Sequence, residues 1–303
     1  MNCYNYARYM RYLLHRRKPR LVILDITSRC NAKCPFCPRT MMPKDRKNGI
    51  MSKELFEDIL SELKKEGIRN IRRYSTGEPL LHPDIDYMIR RLHESGMHIT
   101  VSTNASELDK HHASLLLVDH VQLSISGWDK ESYELLHFPL KYEETKQKVR
   151  VFHKIVSQVT EGRPKISINM IQTKKTDLKK FYETWIGLTD SMTINPLVGT
   201  TLFNGWRFIG EQMPGIEEYY MPYRVDHHRG CEYPFDILTI AYDGKISLCC
   251  ADYSARLPLG DIRDGLMNAF NSVEMQKIRK GFINDVPSVC QGCSRFFKST
   301  GEL

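Results

Sequence analysis

Residues 21–37 read Leu-Val-Ile-Leu-Asp-Ile-Thr-Ser-Arg-Cys-Asn-Ala-Lys-Cys-Pro-Phe-Cys. The run from Leu21 to Thr27 is rich in branched apolar side chains and reads as a buried strand. The segment after it brings three thiols, Cys30, Cys34 and Cys37, onto one loop at the end of that strand. Close thiolates repel one another unless a cation holds them. Structural zinc sites close with four ligands, whereas three ligands on one loop leave a coordination position open, and an open position points to chemistry. A zinc loop or a set of unliganded thiols is the other reading of the same residues.

On the C-terminal side of this stretch, short β-rich runs alternate with helical patterns. The runs are Leu21 to Thr27, Asn70 to Tyr74, His98 to Thr103, His120 to Ser126, Lys165 to Ile171 and Met192 to Pro196. Between the first two, Ser52 to Glu66 puts Leu55, Ile59, Leu60 and Leu63 on one helical face, with Ser52 as N-cap and Gly67 as stop. Asp84 to Ser95 and Lys141 to Val159 read the same way. The fold class is therefore α/β, a parallel sheet or an incomplete barrel whose active site lies at the C-terminal ends of its strands. Polar punctuation falls at those ends: Ser75 to Pro79, Ser102 to Asn104, Ser124 to Trp128, and Asn195. Beyond about Gly205 the repeat stops, and a hairpin signal follows at Asp243-Gly244. The expected organisation is a basic N-terminal helix over residues 1–20, the βα unit over 21–205 and a small cysteine-rich unit over 206–303.

A chain of 303 residues with 41% hydrophobic content can bury a sizeable core. No stretch is apolar for long enough to span a bilayer, and the N-terminus lacks the apolar core of a signal peptide, so the expected location is the cytoplasm. Nine cysteines in a reducing compartment point to metal or redox chemistry rather than to disulfides. The net charge of +8, from 44 basic against 36 acidic residues, slightly favours an anionic partner without marking a nucleic-acid-binding protein. In the basic run from Arg8 to Arg20, Tyr9, Tyr12 and Leu13 recur at helical spacing, which suggests a docked helix; a nucleic-acid or membrane contact is the alternative.

The spacing of Cys30, Cys34 and Cys37, with Phe36 before the third thiol, resembles the signature of the radical S-adenosylmethionine superfamily. That resemblance implies a partial (β/α)6 TIM-like barrel and a [4Fe-4S] cluster on the three cysteines. It also implies chelation of S-adenosylmethionine by the fourth iron and reductive cleavage to a 5′-deoxyadenosyl radical, with electrons from a donor such as flavodoxin or ferredoxin. Gly77-Glu78-Pro79, preceded by Thr76, resembles the family's Gly-Gly-Glu-Pro loop, where backbone and glutamate receive the cofactor ammonium. Ser124-Ile125-Ser126-Gly127 resembles its Ser-x-Asp-Gly strand end, with Ser126 in place of the aspartate. Ser124 and, on the fifth strand, Asn169 are the implied cofactor contacts. Where relatives place an arginine for the cofactor carboxylate, this chain has Leu136-His137-Phe138.

Cys231, Cys249, Cys290 and Cys293 resemble the ligands of the C-terminal SPASM domain or its shortened twitch form. The resemblance implies one auxiliary cluster and hence two [4Fe-4S] clusters in all; a zinc site on the same four residues satisfies the spacing as well. Adjacent strand residues face opposite ways, which would keep Cys250 off the metal that holds Cys249. Cys250 is then a candidate hydrogen-atom donor, since some twitch-type relatives are epimerases that work this way. In relatives acting as dehydrogenases, a substrate alcohol instead leaves as a ketone. The expected substrate is a small polar or sugar-like molecule or a peptide. Lys165, Arg72, Arg73, Arg224, His227 and His228 are candidates to hold an anionic group. An RNA-modifying radical enzyme and a non-catalytic zinc-binding interaction protein are the other classes.

Overall fold

The computed structural model describes residues 3–15, 18–37, 39, 48–73, 77–197, 201–202, 206–207, 216–219, 223–225, 231–250, 252, 257–284, 290 and 297–299. Six strands follow the chain: β1 (Leu21–Leu24), β2 (Asn70–Arg73), β3 (His98–Thr103), β4 (His120–Ser124), β5 (Lys165–Gln172) and β6 (Ser191–Pro196). They lie side by side in chain order, and each pairs with the next in parallel. Sequential order with crossovers of one hand keeps the helices on one face and rolls the sheet, which is the logic of a partial (β/α) barrel.

The helices between strands form where the apolar spacing is helical and the ends are capped. In Lys53–Lys65, Ser52 caps the first turn by accepting the Leu55 N–H, and Leu55, Phe56, Ile59, Leu60 and Leu63 are buried against the sheet. Gly67 ends it with a left-handed φ of 63°. Lys130–Leu136, which the sequence pattern alone did not suggest, starts from a capping box between Asp129 and Ser132. Tyr142–Ser157 and Leu178–Trp185 complete the crossovers around β5.

The Asp243-Gly244 signal forms the expected hairpin, with Gly244 at φ 90°. Its first strand, Ile237–Ile240, pairs in parallel with β1, so the hairpin and Pro258–Asp261 extend the barrel sheet to nine strands. The N-terminal helix spans Cys3–His15 and packs on the helix Val273–Asn284 and on the segment leading into that hairpin. Arg8 pairs with Asp236 at 2.6 Å, and the Tyr12 hydroxyl donates to Asn271 at 2.7 Å. Tyr12 is buried whereas Leu13 faces solvent, so the docked face is centred one position from the expected stripe.

Candidate iron-sulfur and cofactor site

The cysteine loop leaves β1 at its C-terminal end and is anchored on both sides. Ser28 is fully buried; its N–H donates to the Gly49 carbonyl at 3.0 Å, and its hydroxyl accepts the Gly49 N–H at 2.8 Å. The Lys33 N–H donates to the Phe138 carbonyl at 2.5 Å, tying the loop to the turn after Lys130–Leu136. The Cys37 N–H donates to the Cys34 carbonyl, and the Ala32 N–H points at Cys30 Sγ from 3.4 Å.

The three thiols share an environment that resists isolated thiolates. Burial pushes Cys30 up to about 11, with Glu78 and Cys37 adding to the shift. Burial raises Cys34 further, and the nearby Cys37 and Cys30 are its next causes; burial also raises Cys37. Half-buried, desolvated sulfurs close enough to raise one another's pKa are deprotonated only with a cationic centre among them, so the donor set suits an iron-sulfur cluster. Among the described residues, no three His, Cys, Asp or Glu side chains converge as one metal ion requires. A four-iron cluster, in which each cysteine meets its own iron, has no such requirement.

The Gly77-Glu78-Pro79 segment is locked against this loop. A Cβ at Gly77 would collide with the Thr27 carbonyl oxygen and stand 2.7 Å from that of Arg29, so only glycine lets the two backbones meet. The Glu78 N–H donates to the Arg29 carbonyl at 2.8 Å. Its carboxylate is 2% exposed and accepts from Thr103 Oγ1 at 2.7 Å, the Asn104 N–H at 2.7 Å and the Leu80 N–H at 3.1 Å. Burial raises the Glu78 pKa to about 7, outweighing these three donors. A carboxylate has about four acceptor positions. Glu78 therefore joins the ends of β1, β2 and β3, with about one acceptor position left for a further donor. Pro79 is buried at the start of the following 3-10 turn. Thr76 lies outside the described residues.

Further along the strand ends, Ser102 and Ser124 hydroxyls meet at 3.3 Å, Ser124 is in register with Asn169, and Asn169 Oδ1 accepts from Asn195 Nδ2. Ser124 and Asn169 thus stand in one polar row at the mouth of the sheet. Ser126 is buried and stitches β4 to β5 by accepting the Ile171 N–H at 3.1 Å. Lys165 opens β5, at the opposite end of the sheet from the cysteine loop, so it cannot hold a substrate at that mouth. Arg72 is exposed in β2; the side chains of Arg73 and Arg224, and His227 and His228, lie outside the described residues.

Two contacts were not evident from sequence. Asn104 donates through Nδ2 to Asn31 at 3.0 Å and reaches to 4.0 Å from Cys30 Sγ. His137 is buried beside Cys34, its Nδ1 3.6 Å from Sγ, and burial lowers its pKa to about 4. Only the missing arginine drew attention to that turn.

In the C-terminal part, Cys231, Cys249 and Cys290 are each half-buried against the core; Cys293 lies outside the described residues. The hairpin strand Lys245–Ser247 stops before Cys249. Strand alternation therefore does not separate Cys249 from Cys250, contrary to the sequence argument. Cys250 Sγ lies 3.1 Å from the Tyr233 hydroxyl.

A parallel partial barrel with a thiol triad at its mouth defines a class, the cluster-dependent radical enzymes. The Radical SAM superfamily model matches residues 24–170, and the SPASM model, an iron-sulfur cluster-binding domain, matches residues 231–294. The chain belongs to the radical SAM superfamily and carries a C-terminal SPASM domain. It is 30% identical over 112 residues to a PqqA peptide cyclase of Rhodopseudomonas palustris, a match covering 36% of this chain and 29% of that one. The matched segment is thus under a third of that relative's length. The fold resembles that of Streptococcus suis SuiB bound to precursor peptide SuiA, with a TM-score of 0.66 at 16% identity, over 90% of this chain and 70% of SuiB. It also resembles BtrN in complex with AdoMet and 2-DOIA, with a TM-score of 0.55 at 14% identity, over 88% of this chain and 87% of BtrN. Among the described residues, no helix is long and apolar enough to cross a membrane.

Proposed function

We propose that the chain catalyses epimerisation at a carbon centre of a peptide or small polar molecule, with Cys30, Cys34 and Cys37 holding the cluster that serves S-adenosylmethionine. The observation that carries the reading is the fused geometry at the barrel mouth. Three half-buried thiols stand beside a buried glutamate that bonds three strand ends together, and a polar row of Ser102, Ser124, Asn169 and Asn195 lies alongside. When bound, the cluster and S-adenosylmethionine supply a 5′-deoxyadenosyl radical that removes a substrate hydrogen. Gly77 and Glu78 keep the cofactor loop against the cysteine loop, and Ser124 and Asn169 offer hydroxyl and amide groups to the cofactor. Cys231, Cys249, Cys290 and Cys293 hold an auxiliary cluster in this reading. A reducing cytoplasm with flavodoxin or ferredoxin as electron source suits both clusters.

Cys250 returns a hydrogen atom to the face opposite abstraction. The S–H bond breaks, a C–H bond forms, and one electron and one proton from the external reductant restore the thiol. Tyr233, against Cys250 Sγ, fixes its position. The names of PqqA peptide cyclase and of SuiB bound to a precursor peptide support a peptide substrate, and BtrN with 2-DOIA supports a small molecule. Product made in deuterated water is expected to carry one deuterium at the inverted carbon, and Cys250→Ala is expected to abstract hydrogen without inverting. An oxidised product, two hydrogens lighter than substrate and unchanged in rate with Cys250→Ala, would replace epimerisation with dehydrogenation through the auxiliary cluster.

A further inference from the structure

His137 follows Lys130–Leu136, on the turn where the family resemblance directs attention to an arginine for the cofactor carboxylate. The structure gives the residue different work. It is 3% exposed, its ring stacked on Tyr133 at 4.8 Å and met edge-on by Phe36 at 6.0 Å. Tyr133 is itself pinned by its hydroxyl to Thr145 at 2.9 Å. Both ring nitrogens have partners inside the protein, which leaves neither to meet a carboxylate.

These partners settle where the ring proton sits. The Ser126 N–H donates to Nε2 at 2.9 Å, so Nε2 is the unprotonated nitrogen. A neutral imidazole has one N–H, and here it must be on Nδ1. Nδ1 faces Cys34 Sγ at 3.6 Å, within reach of an N–H···S bond. The backbone end of β4 thereby orients a donor at a cysteine some hundred positions away. Hydrogen bonds to ligating sulfur stabilise the more negative, reduced state of an iron-sulfur cluster and raise its potential.

We infer that His137 is a positioning residue that donates its Nδ1–H to the Cys34 sulfur and raises the reduction potential of the cluster held there. The inference rests on the reading of Cys34 as a cluster ligand. The Ser126 backbone N–H, which any residue but proline would supply, sets the tautomer.

The test uses full-length, anaerobically reconstituted protein and the cluster whose EPR signal responds to S-adenosylmethionine. His137→Gln can keep an acceptor near the Ser126 N–H but gives up the donor toward Cys34. His137→Asn can keep an amide N–H where Nδ1 stands but gives up the acceptor. Wild-type protein labelled isotopically at histidine Nδ1 is expected to show a nitrogen coupling in pulsed EPR of the reduced cluster. His137→Gln should lose that coupling and show a more negative midpoint potential at equal iron content, with His137→Asn close to wild type. Absence of the coupling in wild type, or no difference between wild-type and His137→Gln potentials, overturns the inference. Equal shifts in both variants also overturn it, because packing alone would then account for the effect. If His137→Gln loads no cluster, the wild-type coupling decides. Wild-type protein that assembles no cluster on Cys30, Cys34 and Cys37, by iron and sulfide count, contradicts the cluster reading itself.

Discussion

Gly77→Ala tests whether the cofactor loop and the cysteine loop are one mechanical unit. The added methyl would collide with the Thr27 carbonyl and crowd that of Arg29, both backbone groups. Neither side yields easily. The Ser28 N–H to Gly49 and Met51 N–H to Ile26 bonds hold the cysteine side, and the three bonds to the Glu78 carboxylate hold the other. Forcing a methyl into packed backbone costs about 1–3 kcal/mol, and losing the Glu78 N–H bond to Arg29 adds about 1 kcal/mol, for a total of about 2–4 kcal/mol. A Cβ at Gly187 would meet no atom within 4 Å, and the residue has no left-handed φ, so Gly187→Ala is a matched control expected within about 0.5 kcal/mol of wild type. Urea denaturation under anaerobic conditions measures both. Iron content separates a local from a general effect, because displaced Cys30 should lower loading at the first site and spare the C-terminal one. A Gly77→Ala protein as stable as Gly187→Ala, with full iron at both sites, would refute the close approach of the two loops.

Three further outcomes follow from buried groups. Glu78 has its folded pKa raised to about 7 from 4.5, so its contribution to stability is complete below about pH 4.5 and is lost as pH rises through 7. Metal-free wild type should therefore lose on the order of 3 kcal/mol relative to Glu78→Gln between pH 4.5 and 8, read from urea midpoints; parallel curves would contradict this. Arg279 is fully buried between Tyr12 and Phe270, 4.0 and 4.3 Å from their rings; its Nε donates to the Pro234 carbonyl at 2.5 Å, but its two terminal nitrogens have no hydrogen-bond partner among the described residues. Arg279→Met should be neutral or stabilising, whereas Arg279→Ala should lose about 2–4 kcal/mol to the cavity, again by urea denaturation. Glu78→Ala should bind S-adenosylmethionine more weakly in equilibrium dialysis, since Thr103 and Asn104 lose the acceptor that fixes them beside the cysteine loop.

The strands were legible because each announces itself locally. Leu21 to Thr27 is a branched apolar run, His98 to Thr103 alternates, and all six strands form within a few residues of the expected bounds. Ser52, Gly67 and Gly244 were equally readable, because caps and turns depend on one residue's chemistry. What escaped was non-local. Nothing around Leu238 specifies that it pairs with Val22, because either neighbour of an open sheet edge satisfies the same apolar strand. The work of His137 depends on three segments meeting: the cysteine loop, the Ser126 backbone and the Tyr133 ring. Cys250 illustrates the reverse case, where strand alternation was carried past the point at which the strand ends.

The barrel mouth, read as a cluster site, is expected to act on S-adenosylmethionine. The most direct test is deoxyadenosine formation by anaerobically reconstituted, dithionite-reduced protein, compared with a variant in which Cys30, Cys34 and Cys37 are all alanine. 5′-Deoxyadenosine is expected from the wild type and none from the variant, which should keep only the iron of its C-terminal site. Equal deoxyadenosine from both proteins, or none from a wild type with full iron at both sites and its true substrate present, would contradict this reading.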